Sequence, residues 1–393
     1  MNKFFYLFIA LFAIGFSSCS KEDVSQETET GAPAALKLVF ASSGNVTTKT
    51  AGVIPVDNGG ITTDEGKINR MLVAVFKCTQ STPNDKDPVE KIEEIFDVTG
   101  AVTINDLTAG NRSVIVVANY GETAAAALKS ASTRADFLNQ TLSLGVTTTA
   151  YTPTPYEETS TGAQVNSYLP MSGKATIAGG SEVIDLSIAS PIATVELSRL
   201  VSRISINSIT TNFTGPYANA EFVLKNVYVY DALATSRVGL GDFDTTKPLS
   251  LTYLSGFGAS PTNYLSDAIA DYSLTGNGGV TGTYTAPHYF YVFPTNGTDA
   301  NPVKLILYGT FDIDGVAGAN TSIPTYYPIV INKTGIIPEG NGSVARNTRY
   351  ALTAVIKGIG STGPEIDIVP ANLSLSVTVR AWDPIVSQSA VFN

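Results

Sequence analysis

The chain has 393 residues, a formal net charge of −10, 15% charged residues and 44% hydrophobic residues. This length and hydrophobic content allow two domains with packed cores. No lysine or arginine cluster stands out, so the sequence lacks the basic surface that nucleic acid binding requires. One histidine, His288, and two cysteines are too few for a Cys/His zinc site or a Cys–His catalytic pair. The residue inventory thus points to no metal or cofactor.

The composition also indicates the fold class. The chain contains 34 glycines, 20 prolines and 18 tyrosines, and threonine is abundant. Tyrosine and threonine favour strands, and glycine and proline favour the turns between them. We therefore expect an all-β, mainly β-sandwich protein.

The amino terminus has the features of an export signal. Lys3 supplies a positive charge, Phe4–Phe16 is an apolar stretch too short to span a bilayer in the mature protein, and two small serines precede Cys19. A cysteine in this position resembles a bacterial lipobox, which predicts a signal peptide over residues 1–18 and acylation of Cys19. The alternative is an ordinary secretory signal that contains a cysteine by chance.

Acyl chains on Cys19 would hold the protein on a membrane without a spanning helix. The charges of Lys21, Glu22 and Asp23 resemble the signal that sends Bacteroidetes lipoproteins to the outer face of the outer membrane. We therefore expect a precursor anchored at the cell surface.

The first predicted strand lies in the segment ALKLVFAS. Its alternation places Leu36, Leu38 and Phe40 on one face. The residues from Cys19 to Pro33 are polar and predict a tether. The stretch Ser42–Gly60 is rich in turn residues and has no period, which is typical of an exposed, protease-accessible loop. Lys49 lies in the middle of this loop.

The rest of the first half predicts one β-sandwich with a helical excursion. Ile68–Lys77 and Arg112–Tyr120 are strong strand candidates, and EKIEEIFDV and AVTINDL are weaker ones. Ala124–Ser130 and Thr133–Asn139 favour short helices. The segments SYLPMSGKATIAG and SEVIDLSIAS then predict further strands.

The second half predicts a second sandwich. Val195, Leu197, Ile204 and Ile206 alternate within TVELSRLVSRISINSI, and about seven strand-like segments in all follow one another with almost no helical period between them. The polar, glycine-rich stretch Gly256–Gly282 is expected to be a long surface excursion.

Two motifs carry only weak chemical signals. GNGGVTG lacks the Lys-Ser/Thr of a P-loop and the strand and helix of a dinucleotide site, so a flexible turn is favoured. FDIDGV offers Asp312 and Asp314 but lacks the other ligands of an EF-hand, and Asp-Gly between alternating runs favours a hairpin turn over a calcium site.

Several ionisable side chains have structural interpretations. The carboxylates of EKIEEIF, which include Glu90 and Glu94, are expected at a solvated strand edge. Arg199 and Arg203 are expected to form an interdomain or surface salt link. His288 is expected at a strand end, and Cys78 as a partly buried free thiol.

Several segments together resemble the fimbrillin family, the pilus shaft subunits of Bacteroidales. They are the lipobox at Cys19, ALKLVFAS with the loop around Lys49, VIVVANYG, YLPMSG, SRLVSRISI, YYPIVINK, RNTRYALTAVIKG and LSLSVTVRAWDPIV. The resemblance implies two tandem transthyretin-like β-sandwich domains, over residues 50–193 and 194–393, with no enzymatic activity.

The resemblance also implies maturation by an extracellular trypsin-like protease. In the family the cut commonly follows arginine, but no arginine precedes Arg70 in this sequence, and Arg70 lies in a predicted strand. The implied cut is therefore between Lys49 and Thr50, and it would remove residues 19–49 together with the first strand. A neighbouring copy would refill the gap by strand addition. The implied donor contacts lie near the carboxyl terminus: Ile385, Val386, Val391 and Phe392.

The implied partners are other copies of the chain, anchor and tip pilins, and a host or bacterial surface ligand. An alternative function is a monomeric outer-membrane surface lipoprotein that binds glycans through its tyrosine-rich segments, Tyr151–Tyr168 or Tyr253–Tyr272. A hydrolase is disfavoured, because the sequence offers no set of nucleophile and base.

Overall fold

The structure is a computed structural model of the whole chain. The residues it describes are 31–40, 63–96, 98, 100–151, 158–160, 162–187, 191–239, 251–258, 261–276, 282–296, 301–316, 322–333, 342–366 and 373–381. Strands predominate throughout these residues, which confirms the all-β prediction.

The first domain is built on one eight-stranded sheet. Its strands, with three short ones outside the sheet (β6, β7 and β8), are β1 (Pro33–Phe40), β2 (Arg70–Lys77), β3 (Val89–Phe96), β4 (Val102–Thr108), β5 (Asn111–Ala118), β6 (Thr141–Ser143), β7 (Thr149–Tyr151), β8 (Glu158–Ser160), β9 (Met171–Thr176), β10 (Ile184–Asp185) and β11 (Ile192–Arg199). The order across the sheet is β3-β2-β5-β9-β11-β1-β4, and β10 also pairs with β5. Side chains of β3 reach β4, so the sheet folds over on itself around a shared core.

Two short helices follow β5, as the sequence predicts. They are α1 (Glu122–Lys129) and α2 (Arg134–Leu138). The Thr133 side chain accepts a hydrogen bond from the Asp136 backbone N–H and so caps α2. Leu128 of α1 and Phe137 of α2 are buried in the core of the first domain. The segment SEVIDLSIAS, by contrast, contributes only the two residues of β10 among those the structure describes.

The second domain consists mainly of two sheets. Its strands are β12 (Ser202–Thr211), β13 (Glu221–Tyr230), β14 (Ala232–Leu233), β15 (Thr235–Arg237), β16 (Tyr253–Leu254), β17 (Ser266–Thr275), β18 (Thr283–Tyr284), β19 (His288–Val292), β20 (Lys304–Asp312), β21 (Ile323–Val330), β22 (Thr348–Ile356) and β23 (Leu373–Ala381). One sheet has the order β18-β12-β22-β23, with β19 also on β12, and the other has the order β17-β13-β20-β21.

Two details of the second half differ from the sequence prediction. The stretch Gly256–Gly282 is not only a surface excursion, because it contains the ten-residue strand β17, which pairs with β13. Most β17 side chains are exposed, so this edge strand lacks the apolar alternation that identifies a half-buried strand. In addition, β11 pairs with β1 and β9, which extends the first domain to Arg199, beyond the predicted boundary at residue 193.

A buried polar cluster joins the two domains. Arg203 of β12 donates to the carboxylate of Glu65 (2.9 Å), and the Tyr291 hydroxyl donates to the same Glu65 oxygen (2.8 Å). Arg199 Nε donates to the Glu65 backbone carbonyl (3.0 Å). Glu65 lies in the short 3-10 helix Thr63–Gly66, just before β2. The predicted salt link of Arg203 therefore exists, and it is interdomain and buried.

Candidate assembly site at the first strand

Strand β1 lies inside the first sheet, between β11 and β4. It pairs in parallel with β11, where Lys37 faces Ile192 and Phe40 faces Val195. It pairs antiparallel with β4, where Leu36 faces Ile104. Backbone bonds continue past its amino end, since the Ala109 N–H donates to the Ala32 carbonyl (2.9 Å). An interior strand satisfies donors and acceptors on both neighbours at once.

The side chains of β1 follow the predicted alternation. Leu36 and Leu38 are fully buried, and Phe40 is 5% exposed, whereas Lys37 is exposed and Val39 is half-buried. Burial of each large apolar side chain contributes about 1.5–3 kcal/mol. We call the space that Leu36, Leu38 and Phe40 fill between β4 and β11 the β1 slot.

Removal of β1 would expose two strand edges. Both β11 and β4 would lose a hydrogen-bonding neighbour, and the apolar walls of the β1 slot would face water. Within the described residues β4 has no other backbone strand partner, because it ends the order of the sheet. A replacement strand could therefore occupy the β1 slot, form backbone hydrogen bonds with β4 and β11, and bury its own apolar side chains there.

In the second domain β12 has the same kind of neighbours as β1, but the link from β12 to the next strand is much shorter than the link that follows β1. Strand β12 pairs in parallel with β22 and antiparallel with β18 and β19, as β1 does with β11 and β4. The chain passes from β12 to β13 through residues 212–220, but from β1 to β2 through residues 41–69. The fold can therefore be closed with a short link, and the long link after β1 is an additional feature of the first domain.

The predicted maturation site lies in this long link. Lys49 and Thr50 are outside the described residues, as are Cys19 and the four donor residues Ile385, Val386, Val391 and Phe392. The next arginine, Arg70, is the first residue of β2 and is 1% exposed. It is paired with Glu94 (2.7 Å) and with Glu122, so it is inaccessible to a protease in the folded protein.

The carboxyl-terminal strand belongs to its own domain as far as the structure describes it. Strand β23 pairs antiparallel with β22 along its whole length, from Leu373 opposite Ile356 to Ala381 opposite Thr348. The segment up to Ala381 therefore completes the second domain.

The remaining candidate residues have structural roles. His288 begins β19, and its ring nitrogens lie 2.9 Å from the Asp267 carboxylate and 2.8 Å from the Tyr284 hydroxyl. Cys78 is a buried free thiol, and burial raises its pKa to about 11, so it is protonated at neutral pH. No group of three or more metal-ligating side chains occurs in the part of the chain that the structure describes. Among the described helices, none is long and apolar enough to cross a membrane.

The carboxylates of β3 are a correction to the sequence analysis. Glu90 and Glu94 were expected at a solvated edge, but their side chains are only 8% and 16% exposed. Each pairs with a buried arginine, Glu90 with Arg112 and Glu94 with Arg70. These partners are on other strands, so no local pattern around EKIEEIF could reveal them.

Shortening a β1 side chain should destabilise the uncleaved protein. We expect Leu38→Ala to lower the free energy of unfolding by about 2–5 kcal/mol, because it leaves a cavity in a fully buried position. Val39→Ala, on the opposite face of the same strand, should cost less than about 1 kcal/mol. Urea denaturation of both variants measures the difference, and equal effects would mean that β1 is not seated in the β1 slot.

Comparison with known proteins identifies similar chains. The family model described as "Major fimbrial subunit protein (FimA)" matches residues 34–184. The major fimbrium subunits FimA type-5 and FimA type-2 of Porphyromonas gingivalis are 23% and 24% identical to this chain, each over 100% of both chains. A fimbrilin crystal structure from Porphyromonas gingivalis superposes with a TM-score of 0.57 at 18% identity, covering 90% of this chain and 99% of that one.

Proposed function

We propose that this chain, which resembles major fimbrial subunits along its whole length, is a fimbrillin that is exported as a surface lipoprotein, matured by proteolysis, and polymerised by strand exchange into an adhesive fimbria. Its relatives are major fimbrial subunits, so it is a structural pilus subunit of a cell-surface fimbrium and not an enzyme. The similarity to major fimbrial subunits supports the role of a pilus subunit, and the position of β1 inside its sheet supports polymerisation by strand exchange.

The observation that carries the strand-exchange proposal is that β1 is both interior to its sheet and attached by a long link. Its three buried side chains and its two ladders make the β1 slot unfavourable to leave empty. Lys49 is the only basic residue in the sequence between β1 and Lys67. A trypsin-like protease that cuts after Lys49 would free β1 from the rest of the domain.

In the proposed sequence of events, residues 1–18 direct export and acylated Cys19 anchors the precursor in the outer membrane, on its extracellular face. Cleavage between Lys49 and Thr50 separates the segment 19–49, which contains β1, from the two sandwich domains. The lipid anchor and β1 then leave together, since they are part of one peptide.

The β1 slot would then accept the carboxyl-terminal tail of another copy. The residues that we propose to enter it are apolar and follow β23, within Ile385–Phe392. Each buried large side chain would again contribute about 1.5–3 kcal/mol, in addition to the restored ladders. The same exchange would join the shaft to anchor and tip pilins, and the completed fimbria would contact a host or bacterial surface ligand.

Trypsin treatment of the purified precursor tests the proposal against its alternative. A pilus subunit should give one trimmed core and a concentration-dependent ladder of oligomers in native electrophoresis. A monomeric glycan-binding lipoprotein would give a trimmed or intact monomer at every concentration, and it would bind glycans before any cleavage.

A further inference from the structure

Strand β4 forms one wall of the β1 slot and has an unusual set of restraints. Its backbone ladder is with β1 alone, within the residues that the structure describes. Side chains of β3, at the opposite edge of the sheet, contact it from its other side. These contacts do not involve β1.

The strongest of these contacts is a buried cluster at the end of β4. Both backbone polar groups of Thr108 are bonded to charged side chains: its N–H donates to Glu90 Oε1 (2.9 Å), and its carbonyl accepts from Arg112 Nη2 (2.9 Å). The Thr108 hydroxyl also donates to Glu90 Oε1 (2.6 Å). Arg112 and Glu90 are paired with each other, and their side chains are only 5% and 8% exposed.

A second contact holds the middle of β4. Lys91 Nζ donates to the Asn105 carbonyl (2.8 Å) and lies 3.6 Å from the Asp106 carboxylate. Lys91 and Asp106 are more exposed than the Glu90 cluster, so this contact contributes less.

The electrostatics of Glu90 agree with this geometry. Burial acts to raise the pKa of Glu90, but hydrogen bonds from Arg112 and Thr108 outweigh it and hold the pKa below the ordinary glutamate value. The cluster is thus charged at neutral pH and consists of charge-assisted hydrogen bonds, which are stronger than neutral ones.

We propose that Glu90 and Arg112 are positioning residues that hold β4 in place after β1 leaves, so that the β1 slot keeps both walls for the incoming strand. This inference rests on the proposed function. The other wall, β11, also pairs with β9, so it keeps one neighbour when β1 leaves. Among the described strands β4 pairs only with β1, so without the cluster it would lose its order, and each inserted strand would have to order β4 again at a cost in free energy.

The test compares Glu90→Gln with Glu94→Gln. Glu94 is a matched control, because it also lies on β3 and also pairs with a buried arginine, Arg70, but its hydrogen bonds go to Arg70, Tyr120 and Lys129 and not to β4. Both variants should lower the stability of the uncleaved precursor. Each is cleaved in the loop after Lys49 and mixed with a peptide of residues 382–393. Hydrogen exchange of the Thr108 amide, which donates to Glu90 and not to β1, and the rate of peptide capture are then measured.

In the uncleaved variants β4 stays paired with β1, so we expect the β4 amides that face β1 to be protected to similar extents in Glu90→Gln and Glu94→Gln. In the cleaved protein with β1 released, Glu90→Gln should exchange the Thr108 amide about tenfold faster and capture the peptide about tenfold more slowly, the loss expected for a charge-assisted hydrogen bond. Glu94→Gln should resemble the wild type in both measurements. Thr108→Val removes the hydroxyl's bonds to Glu90 and Arg112 but leaves both backbone bonds of Thr108, so it should give a smaller change in the same direction.

Equal behaviour of Glu90→Gln and Glu94→Gln after cleavage would overturn this inference, whatever their stability. Failure of the proposed function is distinguishable. If cleaved wild-type protein captures no peptide, strand exchange by the tail is wrong, whereas hydrogen exchange of the Thr108 amide still shows whether Glu90 holds the end of β4.

Discussion

Replacing Lys49 with glutamine should keep the protein monomeric in the presence of a trypsin-like protease. While β1 remains attached to its domain, it competes for the β1 slot within the same molecule, at an effective concentration on the order of millimolar. Tails of other copies at micromolar concentration would then occupy about one slot in a thousand. We therefore expect fibres to be lost almost completely, as measured by electron microscopy and size-exclusion chromatography.

Lys49→Arg is the control for this variant, because it changes the residue but keeps a site for a trypsin-like protease. It should assemble as the wild type does. Fibres formed by Lys49→Gln from uncut chains would show that release of β1 is not required for assembly.

Removing residues 385–393 should also abolish fibres, while the subunit still folds. Strand β23 ends at Ala381 and pairs with β22 inside its own domain, so the deletion leaves the described structure intact. The truncated protein should be cleaved normally and have an unchanged melting temperature before cleavage. After cleavage it should remain monomeric, because no tail is available for the β1 slot of the next copy.

The chemistry of the tail provides a sharper version of the same experiment. Replacing Val391 and Phe392 with serine removes apolar contacts, each worth about 1.5–3 kcal/mol when buried, and should therefore reduce assembly strongly. Replacing Ser387 and Gln388 with alanine leaves the apolar residues in place and should have little effect. Fibres of normal length from the truncated chain would show that the tail is not the donor.

The sequence predicted β1 correctly, because its signal is local. Alternation of Leu36, Leu38 and Phe40 with Lys37 and Val39 identifies a strand with one buried face. The neighbours of β1 have no such signal. Its parallel pairing with β11 joins segments about 150 residues apart in the chain, and alternation says which side chains face the core but not which strand lies alongside.

The same limit explains the two features that the sequence analysis missed. Strand β17 is an exposed edge, so its polar side chains hide the strand period. The sequence predicts a solvated position for Glu90 because the residue is charged and has no partner nearby in the chain. Its partners Arg112 and Thr108 approach it only when the sheet folds over on itself. The separate roles of Glu90 and Glu94, two similar residues on one strand, follow from the strands that they face.

Assembly by strand exchange requires that β1 leaves its place during maturation and that a strand of another copy refills it. Peptide mapping combined with hydrogen exchange on washed fibres measures both steps. We expect residues 33–40 to be missing from the fibre subunits while the amides of β4 and β11 remain protected. Fibre subunits that retain residues 33–40 in an exchange-protected form would show that β1 is not exchanged.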